Sequence, residues 1–143
     1  MAIYSGDFVT TVTTTGAPAM DFRGGSVNSP FVMELAIVLA AATASTYWWI
    51  RSANSPTQSG TTVLLAENPG DPASQTTQAV TWTTAPTQSG AVFRRAVLPA
   101  TIGAGVVYTF PRGFKIAAAG ATGCVWNAAT NSASTNVRIV VDE

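Results

Sequence analysis

The chain has 143 residues, of which seven are basic, seven are acidic and none is histidine, so its formal net charge is zero. A neutral chain has no net field that would attract nucleic acid or an anionic membrane, and the side chain that most often transfers protons near neutral pH is missing. This length suits one domain that removes about two-thirds of its unfolded surface from water. We therefore predict a single domain over residues 1–143, with no cofactor and with neither nucleic acid nor membrane as a partner.

The sequence predicts a succession of short strands. Strong helix formers are scarce, whereas Thr and Val, whose branched side chains favour strands, are abundant. Residues 8–15 are predicted to form a strand or an extended arm. Residues 1–15 accordingly belong either to the sandwich or to an extended N-terminal arm. The other predicted strands are, in chain order, 31–39, 46–51, 61–66, 79–83, 91–98, 105–110, 114–116, 124–126 and 137–141. The predicted fold class is all-β, a two-sheet antiparallel β-sandwich of the jelly-roll type.

One short sequence occurs twice. Pro-Thr-Gln-Ser-Gly occupies residues 56–60 and again 86–90, each time directly before an apolar segment. Two copies are too few for a solenoid, which needs at least three units to bury a continuous core. We predict two similar turns that each lead into a strand.

Aromatic and basic residues in two predicted strands point to an interface. Tyr47, Trp48 and Trp49 are consecutive, and neighbours in a strand face opposite sides, so at least one ring points away from the core. Arg94 and Arg95 are also neighbours, so one of them faces inward or into an interface, where Arg is the favoured cation. The predicted interface residues are Tyr47, Trp49, Arg51, Arg94, Arg95 and Glu34.

Few residues suggest chemistry. Glu34 is a carboxylate inside an apolar strand; we expect it to pair with an Arg across a sheet or a subunit contact, with a catalytic acid as the alternative. The loop at 67–72 contains carboxylates that could bind Ca²⁺, but without the ligand alternation of dedicated calcium loops. Cys124 is expected to be a small hydrophobe in a strand, since no basic residue lies near it in sequence to activate it.

The last two-thirds of the chain resembles a known group of proteins. The segments 98–111, 124–127 and 137–143, together with 79–86, in which Trp82 stands between Thr81 and Thr83, are similar to small structural proteins of tailed-bacteriophage particles. These segments are strand and turn signatures, and they carry over no functional residue. The resemblance implies a non-enzymatic virion component. In this size range the commonest role is capsid decoration, or cement, often by a trimeric jelly roll that clamps neighbouring major capsid proteins.

The expected function is therefore that of a capsid decoration protein, made in the host cytoplasm and located on the capsid surface of the virion. Its expected partners are the major capsid protein and its own copies in a homotrimer. The first alternative is a tail or fibre module that binds a host-surface glycan through exposed Trp and Tyr rings. The second is a hydrolase that uses a pair of carboxylates.

Overall fold

A computed structural model describes residues 2–11, 16–27, 29–116, 122–128 and 134–143. These residues contain no helix, which confirms the all-β prediction. The strands of the described residues are β1 (Ile3–Thr11), β2 (Ala17–Arg23), β3 (Phe31–Leu39), β4 (Ser45–Ser52), β5 (Thr57–Ser59), β6 (Thr62–Val63), β7 (Leu65–Ala66), β8 (Thr77–Ala79), β9 (Thr81–Thr84), β10 (Gln88–Leu98), β11 (Gly105–Lys115), β12 (Gly123–Asn127) and β13 (Ser134–Asp142).

The strands form two large antiparallel sheets with jelly-roll order. Sheet one has the order β11-β3-β13-β1-β7, and sheet two has the order β10-β4-β12-β2-β8-β6. Taking β1–β4 and β10–β13 as eight framework strands, the first pairs with the last, the second with the seventh, the third with the sixth and the fourth with the fifth. This nested pairing is that of a long hairpin rolled into a sandwich. The predicted jelly-roll sandwich is therefore confirmed.

The segment between β4 and β10, residues 53–87, is an insertion at one side of the sandwich. It adds β7 beside β1 in sheet one, and it adds β8 and β6 beside β2 in sheet two. It also forms a separate two-stranded ribbon from β5 and β9. The insertion covers the edges of β1 and β2, whereas β10 and β11 remain the end strands on the other side.

The N-terminal segment is part of sheet one. All nine residues of β1 pair with β13, from Ile3 opposite Asp142 to Thr11 opposite Ser134. The buried Thr10 hydroxyl also donates a hydrogen bond to the Ala19 carbonyl at 2.8 Å. The strand predicted over residues 8–15 is confirmed over residues 8–11 and begins earlier, at Ile3, so the alternative of an extended arm is wrong over residues 3–11. Residues 12–15 lie outside the described residues.

Period-two alternation in the framework strands builds the core. Val137, Ile139 and Val141 of β13 are all fully buried, because they face the space between the sheets. Val106, Tyr108 and Phe110 of β11 also pack on one side against this core. The largest fully buried side chains are Trp49, Tyr4, Tyr47, Phe22, Met20, Leu35, Ile37, Leu39, Ile50, Leu64, Ile116 and Ile139.

A smaller apolar cluster lies apart from the main core. Ile50, Cys124 and Trp126 are buried together, and Trp48 and Val92 pack against them. Val125, between Cys124 and Trp126, belongs instead to the main core, so successive side chains of β12 lie on opposite sides of the sheet. Cys124 is fully enclosed, and burial raises the pKa of its thiol well above the usual value, which fits a structural apolar residue.

Three predicted strands are interrupted. The segment 79–83 breaks at Val80, because Ala79 pairs with Asp21 in sheet two while Thr81 pairs with Ser59 in the ribbon. The segment 61–66 likewise divides into β6 and β7, which belong to different sheets. In β10 the pairing with β4 shifts between Val92 and Arg94. Such local interruptions depend on tertiary pairing and leave no periodic signal in the sequence.

The two copies of the repeated pentapeptide share a buried proline and a final glycine with a positive φ value. Pro56 and Pro86 are both buried, and both final glycines, Gly60 and Gly90, have positive φ values of 66° and 82°. A left-handed backbone at both positions explains why each copy ends in glycine. The prediction of two similar turns is wrong, because Thr57–Ser59 of the first copy form β5 and Gln88 of the second copy begins β10.

We expect Ile139→Ala to lower the free energy of unfolding by about 2–5 kcal/mol, because it leaves a cavity at a fully buried position. Val107→Ala, at an exposed position on β11 of the same sheet, is the control and should change it by no more than about 0.5 kcal/mol. Urea denaturation followed by tryptophan fluorescence measures both. Equal effects of the two substitutions would contradict the assignment of the core.

Candidate interaction surface

Two of the predicted interface residues belong to the core. Tyr47 and Trp49 are both fully buried, because their side of β4 faces sheet one. The Tyr47 hydroxyl lies 2.5 Å from the Thr135 hydroxyl of β13, which joins the two sheets inside the core. The prediction that Tyr47 and Trp49 lie in an interface is therefore wrong, because both side chains face inward between the two sheets.

Trp48 is the ring of the run that points away from the core. It is half-buried, and the Arg95 guanidinium lies over it, 5.3 Å from the ring centroid. A cation over an indole face is attracted by the ring quadrupole. The expectation that one ring of residues 47–49 faces outward is confirmed. That ring is Trp48, which is not among the predicted interface residues.

Arg51 lies at the end of β4, where it joins the two sheets. Its Nη2 donates a hydrogen bond to the Lys115 carbonyl of β11 at 3.0 Å. Its guanidinium carbon lies 5.8 Å from the ring centroid of Phe93 and 5.3 Å from that of Phe114. These two rings meet edge to face with centroids 4.6 Å apart. An exposed cation is thus held over an aromatic pair.

Arg94 and Arg95 lie on opposite sides of β10. Arg94 is placed over Phe110 of β11, 5.4 Å from the ring centroid, while Arg95 covers Trp48. Tyr108 of β11 donates its hydroxyl hydrogen to the Arg95 carbonyl at 2.5 Å. Both arginines are exposed, so the alternative that one of them faces inward is wrong, and their place in an interface stays a prediction.

The basic residues are concentrated on this side of the molecule. We define the basic edge as Arg51, Arg94, Arg95, Arg112 and Lys115. All five are exposed and lie on β4, β10 and β11, and they are five of the seven basic residues in the chain. Neither β10 nor β11 contains a carboxylate. The basic edge is therefore a positive surface on a neutral protein, suited to a partner surface that offers carboxylates.

The two end strands are protected against pairing with another strand. β11 contains Pro111, which lacks an N–H group, and Gly113, whose φ of 67° accompanies a shift in its pairing with β3. β10 has the shifts on either side of Val92. Proline, bulges and charged side chains are the usual means by which edge strands avoid strand addition. The basic edge is thus suited to docking through side chains rather than through an extended sheet.

Glu34 lies on the outer face of sheet one. Its Oε1 is 4.0 Å from Nε of Arg138 on the neighbouring β13, so the predicted pairing across a sheet is confirmed at the limit of an ion pair. Between described residues this is the one ion pair within 4.0 Å. A groove of about 270 Å³ on this face is lined by Asp7, Glu34, Val107 and Arg138, among others. A partly exposed, paired carboxylate of this kind contributes little to stability.

Within the described ranges, no group of three or more Cys, Asp or Glu side chains could hold a metal ion. The loop at 67–72, weighed as a calcium site, is a solvent-facing turn in which Asn68 donates a hydrogen bond to Asp71 Oδ2 at 3.3 Å. That contact is a turn-forming arrangement of Asn and Asp. No helix in the part of the chain that the structure describes is suited to crossing a membrane.

Asp21 is a buried carboxylate that the sequence did not single out. It has no exposed surface, and Trp82 of β9 donates its indole hydrogen to Oδ1 at 2.7 Å. Burial raises the pKa of the Asp21 carboxyl, and the hydrogen bond from Trp82 and the charge of Arg23 oppose this effect only in part. The contact attaches the ribbon of β5 and β9 to β2, so Asp21 serves the fold rather than an open site.

No family model matches the chain, and no curated protein and no solved structure is significantly similar to it.

Asp21→Asn should change how stability depends on pH. Because the native pKa is raised above the unfolded value of about 3.9, the native state binds this proton more tightly. The stability that this tighter proton binding adds is present below the unfolded pKa of Asp21, and it is lost as pH rises through the native pKa. The free energy of unfolding of the wild type, relative to the variant, should therefore fall as pH rises from about 4, measured by urea denaturation.

Glu67→Gln removes an exposed carboxylate and corrects for the general effect of losing one negative charge. If the difference in the free energy of unfolding between the wild type and Asp21→Asn is the same at every pH, the raised pKa of Asp21 is refuted.

Proposed function

We propose that this protein is a non-enzymatic structural component of a tailed-bacteriophage particle. In this proposal it is a decoration, or cement, protein on the capsid surface that binds the lattice of the major capsid protein and stabilises the head. The observation that carries the proposal is the basic edge, where exposed arginines are held over aromatic rings on the open side of a jelly roll.

The composition of this side is that of a docking surface. Arg and aromatic residues are enriched at protein interfaces, and Arg is weakly hydrated, so it loses less than Lys when a partner covers it. The stacked rings restrict the guanidinium groups before binding, which lowers the entropy lost on association. Val97, 78% exposed on β10 beside the arginines, adds apolar surface to the same side.

A role in adhesion also agrees with the positions of the carboxylates. Asp21 is enclosed and Glu34 is paired with Arg138, so neither resembles an open acid–base pair. The sequence also has no histidine, the side chain that most often transfers protons near neutral pH. These features favour adhesion over the carboxylate-based hydrolase.

The glycan-binding alternative loses its principal residues. It requires exposed rings on which a sugar can stack, but Tyr47 and Trp49 are buried in the core. The outward ring of Trp48 is covered by the Arg95 guanidinium. The described aromatic residues therefore favour a protein contact over a sugar platform.

Stabilisation of the head follows from mass action. A protein that binds only the assembled lattice stabilises it by about 2.7 kcal/mol per site at a free concentration of 100 Kd. A homotrimer would multiply this effect, because three linked contacts dissociate together. The proposal therefore includes self-association into a trimer, with the host cytoplasm as the place of synthesis.

The test is binding to heads of the encoding phage prepared without this protein. Co-sedimentation should give saturable binding at hundreds of copies per head, whereas a tail component would bind at a handful. Arg94→Glu with Arg95→Glu should weaken binding at least about tenfold, because like charges would then face the partner's carboxylates. Arg138→Glu, which reverses an exposed charge outside the basic edge, is the control and should bind as the wild type does. Saturable binding that the double variant retains in full would contradict the assigned surface, and no binding at all would contradict the proposed function.

A further inference from the structure

A cavity of about 430 Å³ lies on the outer face of sheet one, where β3, β11 and β13 come together. We call it the outer cavity and define it by five of its lining residues: Phe31, Met33, Pro111, Arg112 and Asp142. Its volume is within the range of about 300–1,000 Å³ that is usual for small-molecule sites. The cavity is therefore large enough for a ligand of its own.

Irregular pairing of β3 with both of its neighbours shapes the outer cavity. Residues 110–113 of β11 lie opposite Met33 alone, because the regular pairing with β3 resumes only after them. Met33 also lacks a partner in β13, because the register of that pair shifts beside it. A Cβ atom at Gly113 would lie 2.6 Å from the Cβ of Phe31, so the bulge of β11 packs directly against the cavity. Bulges of this kind re-aim side chains and are common next to active sites.

Asp142 provides a fixed acceptor in the outer cavity. Its backbone pairs with Ile3 of β1 on one side and with Phe31 of β3 on the other. Because the preceding Val141 faces the core, the Asp142 side chain points to the outer face of the sheet. Asp142 is only 9% exposed, and its Oδ1 accepts no hydrogen bond from any described residue. A buried carboxylate without a partner is costly, and a cationic donor in the cavity would remove that cost.

Arg112 provides the opposite charge. It is exposed on the bulge of β11 and lines the same cavity. It is not paired with Asp142, since the one ion pair within 4.0 Å in the described ranges joins Glu34 and Arg138. Its guanidinium group is therefore available to donate parallel hydrogen bonds to the carboxylate of a ligand.

The rest of the wall is mainly apolar. Phe31 is 42% exposed, Met33 is half-buried and Pro111 is exposed. An aromatic ring beside a flexible thioether adapts to apolar groups of varied shape. Glu143 also lines the cavity, but its carboxylate already accepts hydrogen bonds from residues 74–76. The charges left for a ligand are thus one carboxylate and one guanidinium, on an apolar floor.

We infer that the outer cavity binds a small zwitterion, namely a free amino acid with an apolar side chain. The ammonium group of this ligand donates to Asp142, and its carboxylate accepts from Arg112. Its side chain packs against Phe31 and Met33. A ligand with a single charge leaves one charged group of the cavity unpaired, which is how the site rejects it. This inference does not rest on the capsid role proposed above.

The first experiment is calorimetric titration of the full chain with L-phenylalanine, which should bind saturably. Three further probes each lack one part of this ligand: phenethylamine lacks the carboxylate, hydrocinnamate lacks the ammonium group and glycine lacks the apolar side chain. Each of the three should bind at least about tenfold more weakly, because a charge pair or the burial of apolar surface is lost.

The second experiment repeats these titrations with two variants. Asp142→Asn and Arg112→Gln should each weaken phenylalanine binding at least about tenfold. Asp142→Asn should also lose the preference for phenylalanine over hydrocinnamate, and Arg112→Gln the preference for phenylalanine over phenethylamine. A residue that only supports the fold would not change selectivity in this crossed pattern. Glu67→Gln and Arg138→Gln remove charges outside the cavity and should bind as the wild type does.

The third experiment locates the ligand. In NMR spectra the Met33 methyl resonance should shift as phenylalanine is added, because Met33 lines the cavity. Phenylalanine that does not bind at millimolar concentration, or that binds without shifting this resonance, would overturn the inference. So would analogues that bind as tightly as phenylalanine, or variants that keep full affinity and selectivity.

The test does not depend on every variant folding. If Asp142→Asn fails to show a β-sheet circular dichroism spectrum, the three analogues on the wild type and Arg112→Gln, at an exposed position, still decide. These measurements need no capsid, so failure to bind an amino acid and failure to bind heads are distinguishable outcomes.

Discussion

The structure depends on the position of β13 between β1 and β3. This strand pairs with both neighbours along almost its whole length, and its alternating Val137, Ile139 and Val141 fill the space between the sheets. Because side chains alternate strictly along a strand, a shift of one residue would exchange this row for Arg138 and Val140. The burial of these three residues therefore sets the register of β1 and β3 against β13, and through β3 it places β11.

The same architecture decides where binding groups can be presented. A sandwich has two sheet edges on each side, and unpaired edges tend to aggregate. Here the insertion covers β1 and β2, while β10 and β11 are shielded by proline, bulges and arginines instead of by further strands. The exposed arginines therefore lie on the side of the sandwich where the edge strands need charged side chains to prevent pairing with another strand. In the proposed role, protection against non-specific strand pairing and selective docking would use the same residues.

Short apolar segments made the larger part of the fold predictable. In β13 the apolar residues Val137, Ile139 and Val141 recur with period two, whereas β3, β4 and β12 are runs of consecutive apolar residues, and the all-β sandwich follows from both kinds of segment. The side of β4 that faces inward was not predictable, since Tyr47 and Trp49 on one side and Trp48 and Ile50 on the other are equally apolar. Only contact with sheet one decides between them. The role of Asp21 was hidden for a related reason, because its partner Trp82 is distant in the sequence and reaches it only through the ribbon.

The part of the insertion that pairs with β1 is short, since β7 consists of Leu65 and Ala66 alone. Beneath it lies β1, a nine-residue strand whose outer edge has a single short neighbour. Proteolytic cleavage in the exposed turn at 67–70 would allow this cover to detach. A nicked molecule would then display a long, regular strand without the proline or bulges that guard β11, and fibrous aggregation would be its characteristic mode of failure.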